Sequence, residues 1–190
     1  MGASVIMAIA DDFSIGDTRS RTGLPWPRLP QDLFNLYGWT RDQNLIIGHS
    51  TLRSVPPESP MLQDAASLQV LTKDTDAFRP PEALEGLAIQ PHADFRDAYE
   101  AAGEYAKIVG GRDTYLAALN AGVVSHAVIT LVHMQAQGDI GFPLTLLGEE
   151  YNWRRLPAAY YEAEGNRPAF TIQQRVRKEE IPVDEGLLLS

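Results

Sequence analysis

Cysteine is absent from the 190 residues, which excludes a disulfide framework, thiol catalysis and a Cys-ligated metal. The four histidines are scattered and form no H-x-x-x-H pair, so no metal site is expected. Cations are scarce: 16 Lys and Arg stand against 25 Asp and Glu, for a formal net charge of −9. That balance argues against nucleic acid or an anionic membrane surface as partner. It also means that an anionic ligand needs positive groups gathered locally. No apolar run approaches the length of a membrane span. Met1 to Ala10 is apolar but short and lacks a basic leading region, so it reads as a buried first strand and not as a signal peptide. Cytoplasmic location and a monomer are the expectations.

What remains is a chain that is 44% hydrophobic and large enough for one good core, expected as a single domain over residues 1–178. Val5 to Ala10 is continuously apolar, the pattern of a strand covered on both faces. Asp11 to Leu29 is a long irregular stretch, and Pro30 opens a helix through Tyr37. Leu45-Ile46-Ile47 is a second buried strand, running into a turn and helix start at Gly48-His49-Ser50-Thr51. Proline-rich residues 54–66 read as a surface connection. Leu68 to Thr72 and Gly86 to Gln90 suggest further strands, and Ala93 to Ala102 an amphipathic helix on Phe95, Ala98, Tyr99 and Ala102. Lys107 to Val109 is a short strand ending in Gly110-Gly111, Arg112 to Leu119 a helix, and Val124 to His133 a strand. Ala158 to Glu164 and Ala169 to Val176 follow as an antiparallel pair, and residues 179–190 as a loosely attached extension. The order describes a three-layer α/β fold whose mostly parallel sheet ends in an antiparallel strand.

Three places carry candidate chemistry. Asp32 lies in the opening turn of its helix beside Trp26, Leu29 and Leu33. An acid there favours the helix dipole without any further role. It also suits a ligand offering two parallel N–H donors, which a carboxylate accepts as a fork. Gly110-Gly111, between a strand and a helix, is either a tight turn or a place where backbone approaches a phosphate. Gly48 to Thr51 repeats that strand-to-helix design. Two such turns suit a dinucleotide better than a mononucleotide, and Lys73, just past the strand Leu68 to Thr72, adds charge for a further phosphate.

Read in order, the stretches Ile15-Gly16, Leu24-Pro25-Trp26, Leu29-Pro30-Gln31-Asp32, Ile47-Gly48-His49-Ser50-Thr51, Val109 to Tyr115 and Gly138 to Pro143 resemble the dihydrofolate reductase family, from about Val5 to Lys178. The resemblance implies a central eight-stranded sheet flanked by helices, and NADPH-dependent hydride transfer to C6 of a pterin. It gives Asp32 the catalytic carboxylate position, with water as proton carrier to N5, and Trp26 a place beside it through a water. Thr130 would support the same end of the ring, Ile6, Ala8, Leu33 and Leu36 would wall it, and Val109 would offer a backbone carbonyl. The cofactor would meet Ala8, Ile15, Gly16, Gly48, His49, Ser50, Thr51, Thr72, Lys73, Gly110, Gly111, Arg112, Asp113, Thr114 and Tyr115. The resemblance further implies a cis Gly110–Gly111 peptide, a mobile loop over Asp11 to Leu24, and Asp139 in the later loop that holds it shut.

The chain departs from that pattern in three places. Where the family places an arginine for the glutamate tail of folate, this chain has Ala65-Ala66-Ser67. Losing one partner of a buried ion pair costs about 3–5 kcal/mol, on the order of a hundred- to a thousand-fold in affinity. His49 stands where an arginine commonly grips the 2′-phosphate of NADPH, and the loop around Asp17 to Leu29 is longer. Two alternatives to dihydrofolate reduction therefore stand: a same-fold reductase of a pterin or pyrimidine without a glutamate tail, and a non-catalytic nucleotide-binding subunit.

Overall fold

A computed structural model describes residues 2–178; the extension expected over residues 179–190 lies outside them. The first strand, β1 (Ala3–Ala10), sits in the middle of the sheet. Its alternation splits two cores. Ala3, Val5, Met7 and Ile9 pack into one cluster, and Ile6, Ala8 and Ala10 face the other side. That is why the whole run is apolar.

After β1 come β2 (Ser14–Gly16), α1 (Pro30–Thr40), β3 (Asn44–Gly48), α2 (His49–Ser54), α3 (Pro60–Gln63), β4 (Ser67–Leu71), β5 (Ile89–His92) and α4 (Phe95–Ala102). Then follow β6 (Lys107–Gly110), α5 (Arg112–Asn120), β7 (Val124–Val132), β8 (Ile140–Gly141), β9 (Trp153–Arg155), β10 (Ala159–Tyr161) and β11 (Phe170–Arg177). The sheet runs β10-β11-β7-β1-β6-β3-β4-β5, with β9 paired to β11 as a ninth strand. The steps from β7 to β5 are parallel, and β11 is antiparallel to β7. The three-layer, mostly parallel sheet with an antiparallel C-terminal strand is therefore as expected. On one face α1, α2 and α3 contribute Leu36, Leu52, Met61 and Leu62 to the core; on the other, α4 and α5 contribute Phe95, Ala98, Tyr115 and Ala118.

Several boundaries differ from the sequence expectation. The stretch Asp11 to Leu29 contains β2, which pairs with β8 to form a separate two-stranded ribbon. The proline-rich connection hides α3, whose Met61 and Leu62 are buried. The strand expected at Gly86 to Gln90 begins only at Ile89, because Gly86 turns at φ +93°. Within the pair expected from Ala158, β10 spans only Ala159–Tyr161.

Candidate active site

The carboxyl ends of β1, β3 and β6 open onto the same end of the sheet, the crevice where parallel α/β sheets hold ligands. Pro30 begins α1 and Leu29 caps it without a side-chain hydrogen bond, which places Asp32 in the first turn. Asp32 is half-buried, and its Oδ1 accepts a hydrogen bond of 2.5 Å from the Thr130 hydroxyl on β7. Thr130 is itself paired to Ala8 of β1 on one side and Ile172 of β11 on the other. Burial pushes the Asp32 carboxyl above its usual value, and the Thr130 hydrogen bond pulls only partly against that. A carboxylate held in this way is poised toward protonation and has a second oxygen for a donor-bearing ligand.

The floor beside Asp32 is apolar. Trp26 and Leu29 are buried with Ala10, Val132 and Phe170, and Ala8 packs partly against them. Ile6 and Val109 lie in the neighbouring cluster, against which Leu36 packs. Leu33 is half-buried one position after Asp32. Seven of the expected residues thus fall on one face: Asp32 and Thr130 joined by a hydrogen bond, with Trp26, Ile6, Ala8, Leu36 and Val109 on or near it.

The two strand-to-helix turns meet each other. A Cβ added to Gly111 would lie 2.9 Å from the Thr51 hydroxyl, and one on Gly48 would lie 3.0 Å from the Thr114 hydroxyl. Gly110, at φ +128°, would set a Cβ 3.2 Å from the Tyr115 hydroxyl. The bare Cα atoms of these glycines admit the close approach of the opposite turn. The result is a cradle, because hydroxyls of Thr51 and Thr114 and the uncapped start of α5 come together. The Gly110–Gly111 peptide is cis. Tyr115 locks this end to β1: its buried hydroxyl donates to the Ile6 carbonyl at 2.8 Å, and burial raises its pKa.

Around His49 the charge is richer than the sequence suggested. His49, Ser50, Arg53, Ser54 and Arg21 line one open cavity. His49 Nδ1 lies 3.4 Å from the Thr72 hydroxyl, so Thr72 joins the group. Lys73 is exposed and lies outside that lining. Arg21 was missed, although the cluster Arg19-Ser20-Arg21 in an acidic chain was the available signal. Arg112 and Asp113 are exposed at the head of α5 and pair with each other at 3.0 Å.

The long loop is tied to the later one. Asp139 accepts hydrogen bonds from the Thr18 amide at 2.8 Å and from its hydroxyl. Arg19 donates to the Gln137 carbonyl at 3.0 Å, and the Gln137 amide donates to Asp12 at 2.6 Å. The two hydrogen bonds from Thr18 hold the Asp139 carboxyl below its usual pKa. Ile15 and Gly16 lie within this ribbon, with Ile15 packed on the core and Gly16 against Ile140.

A family model described as dihydrofolate reductase matches residues 3–177. Among solved structures, the dihydrofolate reductase from Enterococcus faecalis complexed with NADP(H) and RAB-propyl superposes with a TM-score of 0.69, covering 93% of this chain and 96% of that one at 20% identity. At that identity the likeness speaks for the fold alone. No curated protein sequence matches the chain.

Proposed function

The chain belongs to the dihydrofolate reductase family, and on that premise we propose that the cleft over Asp32 is where it performs the NADPH-dependent reduction of 7,8-dihydrofolate to tetrahydrofolate. The observation that carries this assignment is the Asp32–Thr130 pair, a half-buried carboxylate of raised pKa set on an apolar floor. Neither a tail-less substrate nor a non-catalytic role is favoured by the family match.

The donor set suits the cofactor. Thr51, Thr114 and the uncapped start of α5 offer hydroxyl and amide donors, while Arg21, Arg53 and His49 gather the positive charge that the acidic chain otherwise lacks. Bound there, NADPH supplies the hydride that reaches C6 of the pterin. The chain's own groups orient and enclose. Asp32 takes the pterin amino group and ring N–H as a fork and, through its charge, favours protonation of the ring system, with water carrying the proton to N5. Thr130 fixes the carboxylate. Trp26, Ile6, Ala8, Leu33 and Leu36 hold the ring flat, and Val109 offers its carbonyl at the edge. Gly48, Ser50, Thr72, Gly110, Gly111, Arg112, Asp113 and Tyr115 shape or flank the cofactor side. The loop through Ile15 and Gly16 excludes water when tied to Asp139. Lys73 stays in this proposal only as a peripheral charge. The reading also keeps a monomer in the cytoplasm with a small-molecule substrate and no nucleic acid or membrane partner; the acidic charge speaks against a nucleic-acid partner, and among the described residues no helix is long and apolar enough to cross a membrane.

Recognition of the glutamate tail is the part most open to measurement. Ser67, in the segment that lacks the usual arginine, already donates its hydroxyl to Asn44 at 2.9 Å. NADPH oxidation is to be followed with 7,8-dihydrofolate and with dihydropteroate, which lacks the glutamate. Turnover of dihydrofolate that disappears in Asp32→Asn supports the assignment. Equal use of both substrates would show that the tail is not gripped, and turnover of neither would sink the proposal.

A further inference from the structure

α1 rests on β7 at two points. Asp32, in its first turn, accepts from Thr130, and Trp39, near its other end, sets its indole ring 5.4 Å from the imidazole of His126. Asp32, Leu36 and Trp39 recur at i, i+4 and i+7, so one side of the helix makes both contacts. The spans agree, since seven residues of helix cover about 10 Å and four of strand about 13 Å. His126 is half-buried, and its Nε2 lies 3.0 Å from Gln174 Oε1 on β11. On its other side it is paired with Ser4 of β1, which is paired in turn with Lys107 of β6. The Lys107 ammonium donates to the Ser4 hydroxyl at 3.3 Å, so it lies over the strand next to His126. His126 thus meets Trp39 from α1, Gln174 from β11, Ser4 from β1 and the ammonium reaching across from β6. Among the described residues no carboxylate forms an ion pair with His126 or with Lys107.

A neutral imidazole suits this place. Burial, the largest cause, lowers the His126 pKa; the Gln174 hydrogen bond pulls against it, and Lys107 adds to it. The unfolded chain therefore takes up the His126 proton more readily than the folded protein does. That difference costs nothing above the ordinary value of 6.5 and becomes a penalty on the folded state as pH falls through it. An imidazolium formed here meets the Lys107 ammonium with no acid to balance it. β1, β6, β7 and β11 are fixed by their hydrogen-bonded ladders, whereas α1 meets His126 through a side-chain contact, so the helix end is the part free to yield. We propose that His126 is a positioning residue for Asp32: neutral, it seats Trp39 and holds α1 on β7; protonated in mild acid, it lets the Trp39 end of α1 lift and so slackens the hold on Asp32. The link to substrate rests on the reading of Asp32 as the pterin carboxylate; the link from His126 to α1 does not.

NMR of the intact protein, titrated from about pH 8 to about pH 5, follows the His126 ring while amide-exchange protection in α1 is measured over the same range. The ring should titrate below 6.5, and protection between Leu36 and Thr40 should fall with the same midpoint. KM for 7,8-dihydrofolate should rise severalfold along that curve, as a step separate from the titration of Asp32. His126→Gln takes up no proton, so it should lose both steps and keep that of Asp32. Lys107→Gln removes the facing cation and should move the midpoint up toward 6.5 in every readout. The proposal is overturned if the ring titrates above 6.5, which would mean that Trp39 favours the imidazolium, if α1 protection stays level through the titration, or if either step persists in His126→Gln. Should His126→Gln not fold, Lys107→Gln decides: a midpoint that does not move overturns the proposal. A step in protection with none in KM would confine His126 to stability and overturn its role toward Asp32. Protection is read without turnover, so an absence of turnover sinks the dihydrofolate assignment and leaves the link from His126 to α1 to be decided by its own measurement.

Discussion

Replacing Asp32 by Asn separates the charge of the carboxylate from its shape. The amide oxygen can still accept from Thr130, so the 2.5 Å contact has a counterpart in the variant, while the ionised form is lost. Two opposing terms set the effect on stability. A hydrogen bond to a charged group contributes about 1.5–3 kcal/mol, whereas desolvating a carboxylate costs several kcal/mol. Burial is the larger cause of the Asp32 shift, and the net direction is upward, so desolvation wins. The folded protein thus binds the Asp32 proton more tightly than the unfolded chain does. That preference is without penalty below the ordinary value of 3.8, and it becomes a penalty as pH rises through the folded pKa. At neutral pH, Asp32→Asn should therefore be more stable than the wild type, with a higher Tm. The gain should shrink as pH falls and vanish below 3.8. Meanwhile kcat/KM for dihydrofolate should drop by about a hundred- to ten-thousand-fold. Thermal unfolding of both proteins across that pH range, beside NADPH oxidation, measures the trade directly. A variant less stable at neutral pH, or equally stabilised in acid, would refute the argument from desolvation.

Gly110→Ala puts a side chain on a φ of +128° and 3.2 Å from the Tyr115 hydroxyl; a loss of about 1–3 kcal/mol in urea unfolding is expected, with weaker NADPH binding by fluorescence. Tyr115→Phe leaves the Ile6 carbonyl without its buried donor, and should lower unfolding stability by about 1–3 kcal/mol while preserving the fold by circular dichroism. Asp139→Ala removes both hydrogen bonds to Thr18, so limited trypsin digestion should cut after Arg19 and Arg21 faster than in the wild type. Unchanged cleavage would mean that Asp139 does not hold this loop.

The elements that could be read from the chain are those whose burial pattern is local. β1 is apolar because each of its faces feeds a different cluster, and α4 shows its inward residues at helical spacing. β2 and β8 are three- and two-residue strands whose pairing depends on a contact more than 120 residues away, which no window of sequence contains. α3 was hidden because its opening Pro60 marks a turn as readily as a first helical position. At the site, the residue types of Asp32 and the glycine turns were visible, but their physical reasons were only half so. The partner of Asp32 lies 98 residues on, and the contact of the two glycine turns with each other spans sixty residues from Thr51 to Gly111, which no window of sequence contains.

The central position of β1 also sets a schedule for making this protein. β1 pairs on one side with β6 and on the other with β7, through Ser4 with Lys107 and Ala3 with Val124. After β1, a ribosome must therefore extrude everything from β2 through α4 before either edge of that apolar strand is covered, and β11 is still to come. Until then an uninterrupted hydrophobic segment waits with open backbone edges, the state most prone to mispairing and to capture by chaperones. Synonymous changes that slow translation between α1 and β6 should lower soluble yield without altering the finished enzyme.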